Sequence, residues 1–154
     1  MIALDRCPST LKKGFSSFSP SALRNLFNNR KVGHVLPFNH GNSEGRINDF
    51  FLDSLKRFSI GGKEKKVSLS LSKNKLLLTE EGSEGQYILK LRPDNISHAD
   101  ETAANEHLTM QLASQVFGIR TAWNTLMFFQ NGRPAYLTKR FDYFDTLVQA
   151  ELLV

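Results

Sequence analysis

Residues 59–71 read SIGGKEKKVSLSL, and the prediction of the fold starts from this stretch. Gly61 and Gly62 are followed by three lysines within four residues, and then by apolar residues that alternate with serines as far as position 71. Adjacent glycines let a backbone approach a polyphosphate closely, exposed N–H groups can point at its oxygens, and lysine supplies compensating charge. The stretch therefore predicts a phosphate-covering loop that leads into a β-strand. The alternative is a basic turn before an ordinary strand.

The composition is that of one soluble domain with a core of its own. The chain has 154 residues, of which 40% are hydrophobic and 23% charged, and its formal net charge is +5. This modest positive charge suits an anionic ligand or partner but does not by itself imply nucleic acid. No apolar run has the length of a membrane span or of a secretion signal, so we expect no membrane association and a cytoplasmic protein.

The sequence predicts neither a metal site nor an internal disulfide. Cys7 is the single cysteine, so it has no partner for an internal disulfide and is a poor start for a zinc site. We interpret it as a free structural or surface thiol. His34 and His40 lie in a loop rich in glycine and asparagine without a second pair of ligands, and we interpret them as ordinary surface residues.

Two short helices are predicted before the glycine stretch. Ser19 and Pro20 form a helix start, with a capping side chain followed by a residue that suits the first turn, and apolar residues follow as far as Phe27. Residues 48–58 form the second, because Phe50, Phe51 and other apolar residues around them recur at helical spacing.

Three strands are predicted after the glycine stretch. The first carries Val67, Leu69 and Leu71 on one face, and a hairpin at residues 72–75 connects it to the second, at residues 76–79. The third covers residues 87–91. Lys90 lies there between two leucines, where its ammonium group requires water or an anion. Lys90 is therefore either an edge-strand lysine that reaches solvent or part of a ligand site.

A helix is predicted from a cap at Ser97 or Asp100 to about Phe117, with Gly118 as its stop. Two apolar groups recur along it, and both are expected to be packed. They are Ala104, Leu108, Leu112 and Val116 in one, and Met110, Ala113 and Phe117 in the other. Glu106 projects with the second group, which favours a partner for its carboxylate over simple exposure.

Two further strands are predicted around Asn131 and Gly132, a strong hairpin signal, at residues 123–130 and 134–140. They extend the same antiparallel sheet. The sheet-helix-sheet order places Lys90 on the third strand and Glu106 on the helix that follows, and we expect the two side chains to meet. This is the layout in which a kinase amino-terminal lobe holds ATP.

Four motifs in this order resemble the HipA-like serine/threonine kinases of bacterial toxin–antitoxin modules, and particularly their HipT branch. The motifs are SIGGKEKKVSL, YILKL, NEHLTMQLASQVFGI and YLTKRFD. RCPSTLKKGF near the start is similar to the opening of HipT proteins. Glu64 departs from the pattern, because the family usually has glutamine there.

The resemblance implies an ATP site, with Mg²⁺ as its companion ion. The implied ATP-binding residues are Gly61, Gly62, Lys63, Lys66, Lys90, Lys139, Arg140 and Phe141. Glu106 is the implied partner of the lysine, and Ser59 stands at a serine that is autophosphorylated in the family. Phosphate on Ser59 would add negative charge beside the loop and disfavour nucleotide binding.

The predicted fold class is α+β, a kinase N-lobe-like antiparallel sheet with one packed helix, preceded by a short helical and loop segment. Its predicted parts are an N-terminal segment (1–58), the ATP-binding region (59–142) and a tail (143–154). No catalytic-base aspartate and no metal-binding aspartate can be read in the sequence, and we expect both in a second lobe. We therefore expect no kinase turnover from this chain alone.

The resemblance also implies partners, namely a DNA-binding antitoxin, a small HipS-like subunit and, as protein substrate, an aminoacyl-tRNA synthetase. An alternative of a different class is a noncatalytic module that captures such a partner. Direct binding of nucleic acid is not expected, since the phenylalanines fall mainly on core stripes and no RNP motif is present.

Overall fold

A computed structural model describes residues 2–38, 65–80, 82–93 and 96–142. The predicted glycine loop, the predicted helix at residues 48–58 and the tail at residues 143–154 lie outside the described residues, as does His40. Within the described ranges, no helix combines the length and apolar character needed to span a bilayer.

The described elements form one antiparallel sheet and two α-helices, which confirms the predicted α+β class. The elements, in chain order, are α1 (Pro20–Phe27), β1 (Lys66–Ser72), β2 (Lys75–Leu78), β3 (Tyr87–Lys90), a 3₁₀ turn (Ala99–Glu101), α2 (Thr102–Gln115), β4 (Asn124–Phe128) and β5 (Pro134–Lys139). The strand order in the sheet is β2-β1-β3-β5-β4. The chain passes from β3 near the centre through α2 to the edge strand β4, and then returns beside β3 as β5.

Helix α1 begins at its predicted cap. The Ser19 hydroxyl accepts a hydrogen bond from the amide of Ala22, and Pro20 occupies the first helical position. Leu26 and Phe27 are fully buried. Asn28 ends the helix in the left-handed conformation, with φ of 51°.

Both predicted hairpins are present. Ser72 pairs with Lys75 across a two-residue turn, and Phe128 pairs with Pro134 across the turn that contains Asn131 and Gly132. Gly132 has φ of +86°, which a glycine adopts without strain.

Residues 2–38, called the N-terminal segment from here on, pack on one face of the sheet and share its core. Leu26 and Phe27 of α1 belong to the same buried cluster as Leu69, Leu89 and Leu137 of the sheet. The hydroxyl of Tyr87 donates a 2.6 Å hydrogen bond to the carbonyl of Leu26, and burial raises the pKa of this phenol. The covered face of the sheet is thus the hydrophobic core of the molecule.

The N-terminal segment, residues 2–38, also covers the edge of β4. The amide of Leu126 donates to the carbonyl of Pro8, and the amide of Phe128 donates to that of His34. These bonds occupy backbone groups that a bare edge strand would leave open to another chain.

Cys7 and His34 have structural roles in this segment. The Cys7 side chain is fully buried, and its sulfur accepts a 3.3 Å hydrogen bond from the amide of Ser19. Burial alone would raise the pKa of this thiol, but hydrogen bonds from Thr10 and Ser19 bring it below the ordinary value. His34 contacts Ser17 and the carbonyl of Ile2. No group of three metal-ligating side chains occurs in the described part of the chain.

Helix α2 differs from its prediction at both its start and its packing. A 3₁₀ turn precedes it, its N-cap residue Glu101 makes no side-chain capping bond, and Asp100 instead pairs with Arg92 at 2.5 Å. The helix ends at Gln115, two residues before its predicted end, and the predicted stop Gly118 follows with φ of +65°, where the amide of Ile119 returns to the carbonyl of Ala113.

The apolar stripe of α2 that was expected to be packed is exposed. Leu108, Leu112 and Val116 are 48%, 45% and 66% exposed, and Phe117 of the second group is 73% exposed. The residue that α2 buries most deeply is His107, because β4 offers its side chain a hydrogen-bond partner. Polar contacts with the sheet have therefore set the rotation of the helix.

Candidate functional site

Lys90 lies on the face of the sheet opposite the N-terminal segment. Its cross-strand neighbours are Lys66 on β1 and Tyr136 on β5, and Tyr136 in turn lies opposite Leu126 on β4. Directly opposed residues of an antiparallel sheet project from the same face. Two lysines and a tyrosine thus form one row across three adjacent strands.

A second row lies two residues further along each strand on the same face. Ile88 is the central residue, and it lies between Ser68 on β1 and Thr138 on β5. Ser68 is buried and its hydroxyl is 3.0 Å from that of Thr79. This row adds an apolar side chain flanked by two hydroxyl groups to the charged row beside it.

The predicted contact between Lys90 and Glu106 is present. The Lys90 ammonium donates to Oε1 of Glu106 over 2.6 Å, and the two side chains are 29% and 23% exposed. Partial shielding from water makes such a pair stronger than one on an open surface. Helix α2 delivers the carboxylate to the lysine from above the sheet.

Tyr136 forms the floor beneath this ion pair. The Lys90 ammonium lies 5.8 Å from the centre of the Tyr136 ring, which is within cation–π range. Burial, and to a lesser extent the negative charge of Glu106, raise the pKa of Tyr136 to about 12, so the phenol is neutral at physiological pH. The sequence prediction did not single out Tyr136, because its position beside Lys90 depends on the pairing of β3 with β5.

Lys66 and Lys90 face each other across β1 and β3. Like charges in directly opposed positions repel, so this pair destabilises the sheet unless anionic groups lie close by. Glu106 supplies one carboxylate to Lys90. The two ammonium groups of this row are cationic donors, which is the chemistry that suits anionic oxygen atoms.

The structure does not bring Lys139 to this face. Lys139 lies on β5 opposite Tyr87, in the row that faces the N-terminal segment. Its ammonium donates to the carbonyl of Asn25 and to the side chain of Asn28, at 3.1 and 3.2 Å, so it caps the C-terminal end of α1. Burial lowers the pKa of Lys139.

Arg140 and Phe141 lie just beyond the end of β5. The Arg140 guanidinium binds both carboxylate oxygens of Asp142 at 2.9 Å, and the amide of Arg140 donates to the carbonyl of Gln86. The hydrogen bond between the two side chains raises the pKa of Arg140 and lowers that of Asp142. Phe141 is 87% exposed. Arg140 therefore lies beside the end of β3 that begins at Tyr87, and Lys90 is at the other end of that strand.

Of the implied ATP-binding residues, Lys66 and Lys90 share a face, and Glu106 joins them. Gly61, Gly62, Lys63 and Ser59 lie outside the described residues, so their roles stay predictions. β1 begins at Lys66, directly opposite Lys90 on the neighbouring strand β3.

The family model of the HipA-like C-terminal domain matches residues 58–153. The chain belongs to the HipA-like family. This confirms the family predicted from the four motifs. The region of this HipA-like chain that the family model matches contains all five described strands, α2 and the Lys90–Glu106 pair, whereas α1 precedes it. A comparison with curated proteins found no match.

Proposed function

We propose that the sheet face around Lys90 binds the phosphates of ATP, as the nucleotide site of a HipA-like serine/threonine kinase. The observation that carries the proposal is the 2.6 Å contact between Lys90 and Glu106 beside a second lysine, Lys66. An ammonium group held by a helix carboxylate keeps a fixed position, and an ammonium is a cationic donor that suits phosphate oxygens.

Three further features support this function. Membership of the HipA-like family makes phosphoryl transfer the leading chemistry. Residues 59–63 include two glycines and stand shortly before β1 in the sequence, and β1 pairs with the strand that carries Lys90. Ile88, with the hydroxyls of Ser68 and Thr138, offers an apolar strip with polar edges on the same face, which suits a planar base.

The lysine row fits the triphosphate of ATP, and Lys66 and Lys90 would hold it. Bound ATP supplies the phosphoryl group for transfer, and Mg²⁺ accompanies it in such chemistry. In this proposal Glu106 orients the Lys90 ammonium, while Tyr136 supports it from the sheet. In this proposal an aminoacyl-tRNA synthetase is the protein substrate of the full-length kinase, and the second lobe with its aspartates is required for the transfer. The proposed partners are a DNA-binding antitoxin and a HipS-like subunit, and Ser59 is the proposed regulatory phosphorylation site.

The test is a comparison of ATP affinity among matched lysine variants, measured by isothermal titration calorimetry with Mg²⁺ present. We expect Lys90→Met to weaken ATP binding by tenfold or more, which corresponds to about 1.4 kcal/mol, and Glu106→Gln to weaken it less. Lys75→Met removes the same charge from the exposed edge strand β2 and serves as the control. Equal affinity of the Lys90→Met and Lys75→Met variants, or no binding by the unmodified chain, would contradict the proposal.

A second candidate function is the noncatalytic capture of a protein partner. The observation that favours it is the exposed apolar stripe of α2, formed by Leu108, Leu112 and Val116. Partner binding that persists in the Lys90→Met variant, together with no stabilisation of the unmodified chain by ATP, would identify this function instead.

A further inference from the structure

Asn124, the first residue of β4, connects three parts of the molecule. Its side chain is almost fully buried, and its Oδ1 atom accepts from Gln111 at 3.0 Å while its Nδ2 atom donates to the carbonyl of Ala122 at 2.8 Å. The Nδ1 atom of His107 lies 2.9 Å from the same Oδ1. Since that oxygen can only accept, the neutral His107 ring donates through Nδ1.

The N-terminal segment binds to the same residue and to α2. The Ser9 hydroxyl donates to the main-chain carbonyl of Asn124 at 2.8 Å. The Gln115 amide donates to the carbonyl of Thr10 at 3.1 Å and to the side chain of Gln111 at 2.7 Å.

His107, Gln111 and Gln115 are spaced by four residues, so they form one row along α2. We call this row the polar ladder. It connects α2 to β4 through Asn124, and to the N-terminal segment through Thr10.

The apolar stripe on the neighbouring face of α2, about 100° around the helix axis from the ladder, does little to hold the helix in place within the described structure. Leu108, Leu112 and Val116 are about half exposed or more, so their burial contributes little to fixing the helix rotation. Glu106 directly precedes His107, the first residue of the ladder. A rotation of the helix by about 20° would move side-chain atoms on its surface by about 2 Å, which is enough to break the 2.6 Å contact with Lys90.

We propose that Asn124 and the polar ladder are positioning residues that hold Glu106 against Lys90, and that Ser9 and Thr10 brace this arrangement. The ladder fixes the rotation of α2, and the bonds from Ser9 and Thr10 fix the ladder to the N-terminal segment. The N-terminal segment thereby sets the geometry of the ion pair in the same chain. Its consequence for nucleotide affinity rests on the proposed function, whereas the positioning itself requires no nucleotide.

The first experiment measures the coupling between Lys90 and Glu106 without nucleotide. Urea unfolding of the full chain is followed by circular dichroism for the parent, Lys90→Met, Glu106→Gln and the double variant. This double-mutant cycle gives the coupling free energy between the two side chains. The same cycle is repeated in a Gln111→Met background, which keeps side-chain volume and removes the donor to Asn124. A background with Thr109→Val is the control, because the Thr109 hydroxyl donates to the carbonyl of Asn105, within α2 itself.

We expect a coupling of about fivefold in the unfolding constant for the parent and the Thr109→Val background, and less than about twofold for Gln111→Met. An equal coupling in both backgrounds would overturn the proposal. Gln115→Ala, at an exposed position, gives a second background that removes the contact with Thr10, and it should reduce the coupling in the same direction.

The second experiment uses Asn124→Asp, which keeps an acceptor at the same place. We expect this variant to retain the coupling, and the pKa of His107, followed by NMR, to rise relative to the parent because a carboxylate replaces the amide. Lost coupling together with an unshifted His107 would show that Asn124 does not act through the ladder.

ATP affinity is measured in parallel for the parent, Gln111→Met and Thr109→Val. We expect about three- to tenfold weaker binding for Gln111→Met alone. A parent chain that binds no ATP would contradict the proposed function only, because the coupling measurement decides the positioning role by itself.

Discussion

Lys90 and Lys139 lie on neighbouring strands but project from opposite faces of the sheet, and they have different roles. Lys90 projects from the face that also carries Lys66 and Tyr136, and Lys139 projects from the face that the N-terminal segment covers. Each ammonium meets an anionic or dipolar partner there, Glu106 for Lys90 and the end of α1 for Lys139. Strand alternation thus separates an ion-pair lysine from a capping lysine.

Because the two lysines have different roles, two matched substitutions should have different effects. Lys139→Met should lower the free energy of unfolding by about 1 kcal/mol, since the end of α1 loses a cationic donor, and should leave ATP affinity unchanged. Lys90→Met should reduce ATP affinity. Urea unfolding and calorimetric titration of both variants check this, and reduced ATP affinity of a folded Lys139→Met chain would contradict the assignment of faces.

His107 makes stability depend on pH. Burial lowers its pKa from the ordinary 6.5, and the Asn124 side chain and Ser9 backbone oppose only part of that shift. Below about pH 6.5, His107 becomes protonated in the unfolded chain but stays neutral in the folded chain until the pH is lower. The contribution of His107 to stability is therefore complete above that pH and is lost as the pH falls towards the lower folded value.

His107→Gln should remove this dependence while keeping a donor for Asn124. We expect the stability difference between parent and variant to change by up to about 1.4 kcal/mol per pH unit between about pH 6.5 and 5, with the parent losing more on acidification. Urea unfolding at each pH measures it. His98→Gln, at a 77% exposed side chain, is the control and should leave the slope of the parent unchanged.

At the scale of elements, α2 shows that apolar spacing alone does not decide which face of a helix is buried. Its side chains at His107 and Gln111 find partners on β4, and its leucines at 108 and 112 face outward. Burying polar groups of β4 without hydrogen-bond partners would be costly, so the polar ladder of α2 faces β4. The apolar spacing correctly predicts a helix, but it predicts the wrong buried face.

The connection between β2 and β3 depends on Gly85. A methyl group there would overlap the hydroxyls of Ser68 and Thr79 and would lie 2.6 Å from the carbonyl of Leu69. Gly85→Ala should therefore push β1 away and lower stability by more than about 2 kcal/mol. Thermal unfolding measures the loss. Gly33→Ala, with open space around it, should be nearly neutral, and equal effects would contradict the packing argument.

At the scale of the whole molecule, the N-terminal segment and the sheet form one core. Leu26 is fully buried in the cluster that contains Leu69, Leu89 and Leu137. The polar ladder and the bonds at the edge of β4 connect the same two parts on their other side. We therefore expect the two parts to unfold together rather than as separate units.

Leu26→Ala tests this common core. The substitution should lower the free energy of unfolding of the whole chain by about 2–5 kcal/mol, because it opens a cavity between α1 and the sheet. A single transition should be seen both by Trp123 fluorescence and by circular dichroism. Leu77→Ala, at a 43% exposed position, should cost much less. Two separate transitions in the parent chain would contradict a shared core.

Much of the architecture could be predicted because its determinants are local. Ser19 and Pro20 begin α1, Asn131 and Gly132 lie in the turn of a hairpin, and Gly118 follows the end of α2. Each of them acts through backbone conformations within a few residues. The motif order likewise predicted the HipA-like family and the meeting of Lys90 with Glu106.

The tertiary structure alone decided which side chains share a face with that ion pair. Strand and helix periods are local, but the pairing of β3 with β5, which brings Tyr136 to Lys90 and turns Lys139 away, joins residues more than forty positions apart. The rotation of α2 depends in the same way on Asn124 and Thr10, which lie outside the helix. Such contacts leave no periodic signal in the sequence, because each depends on how separate segments pack together.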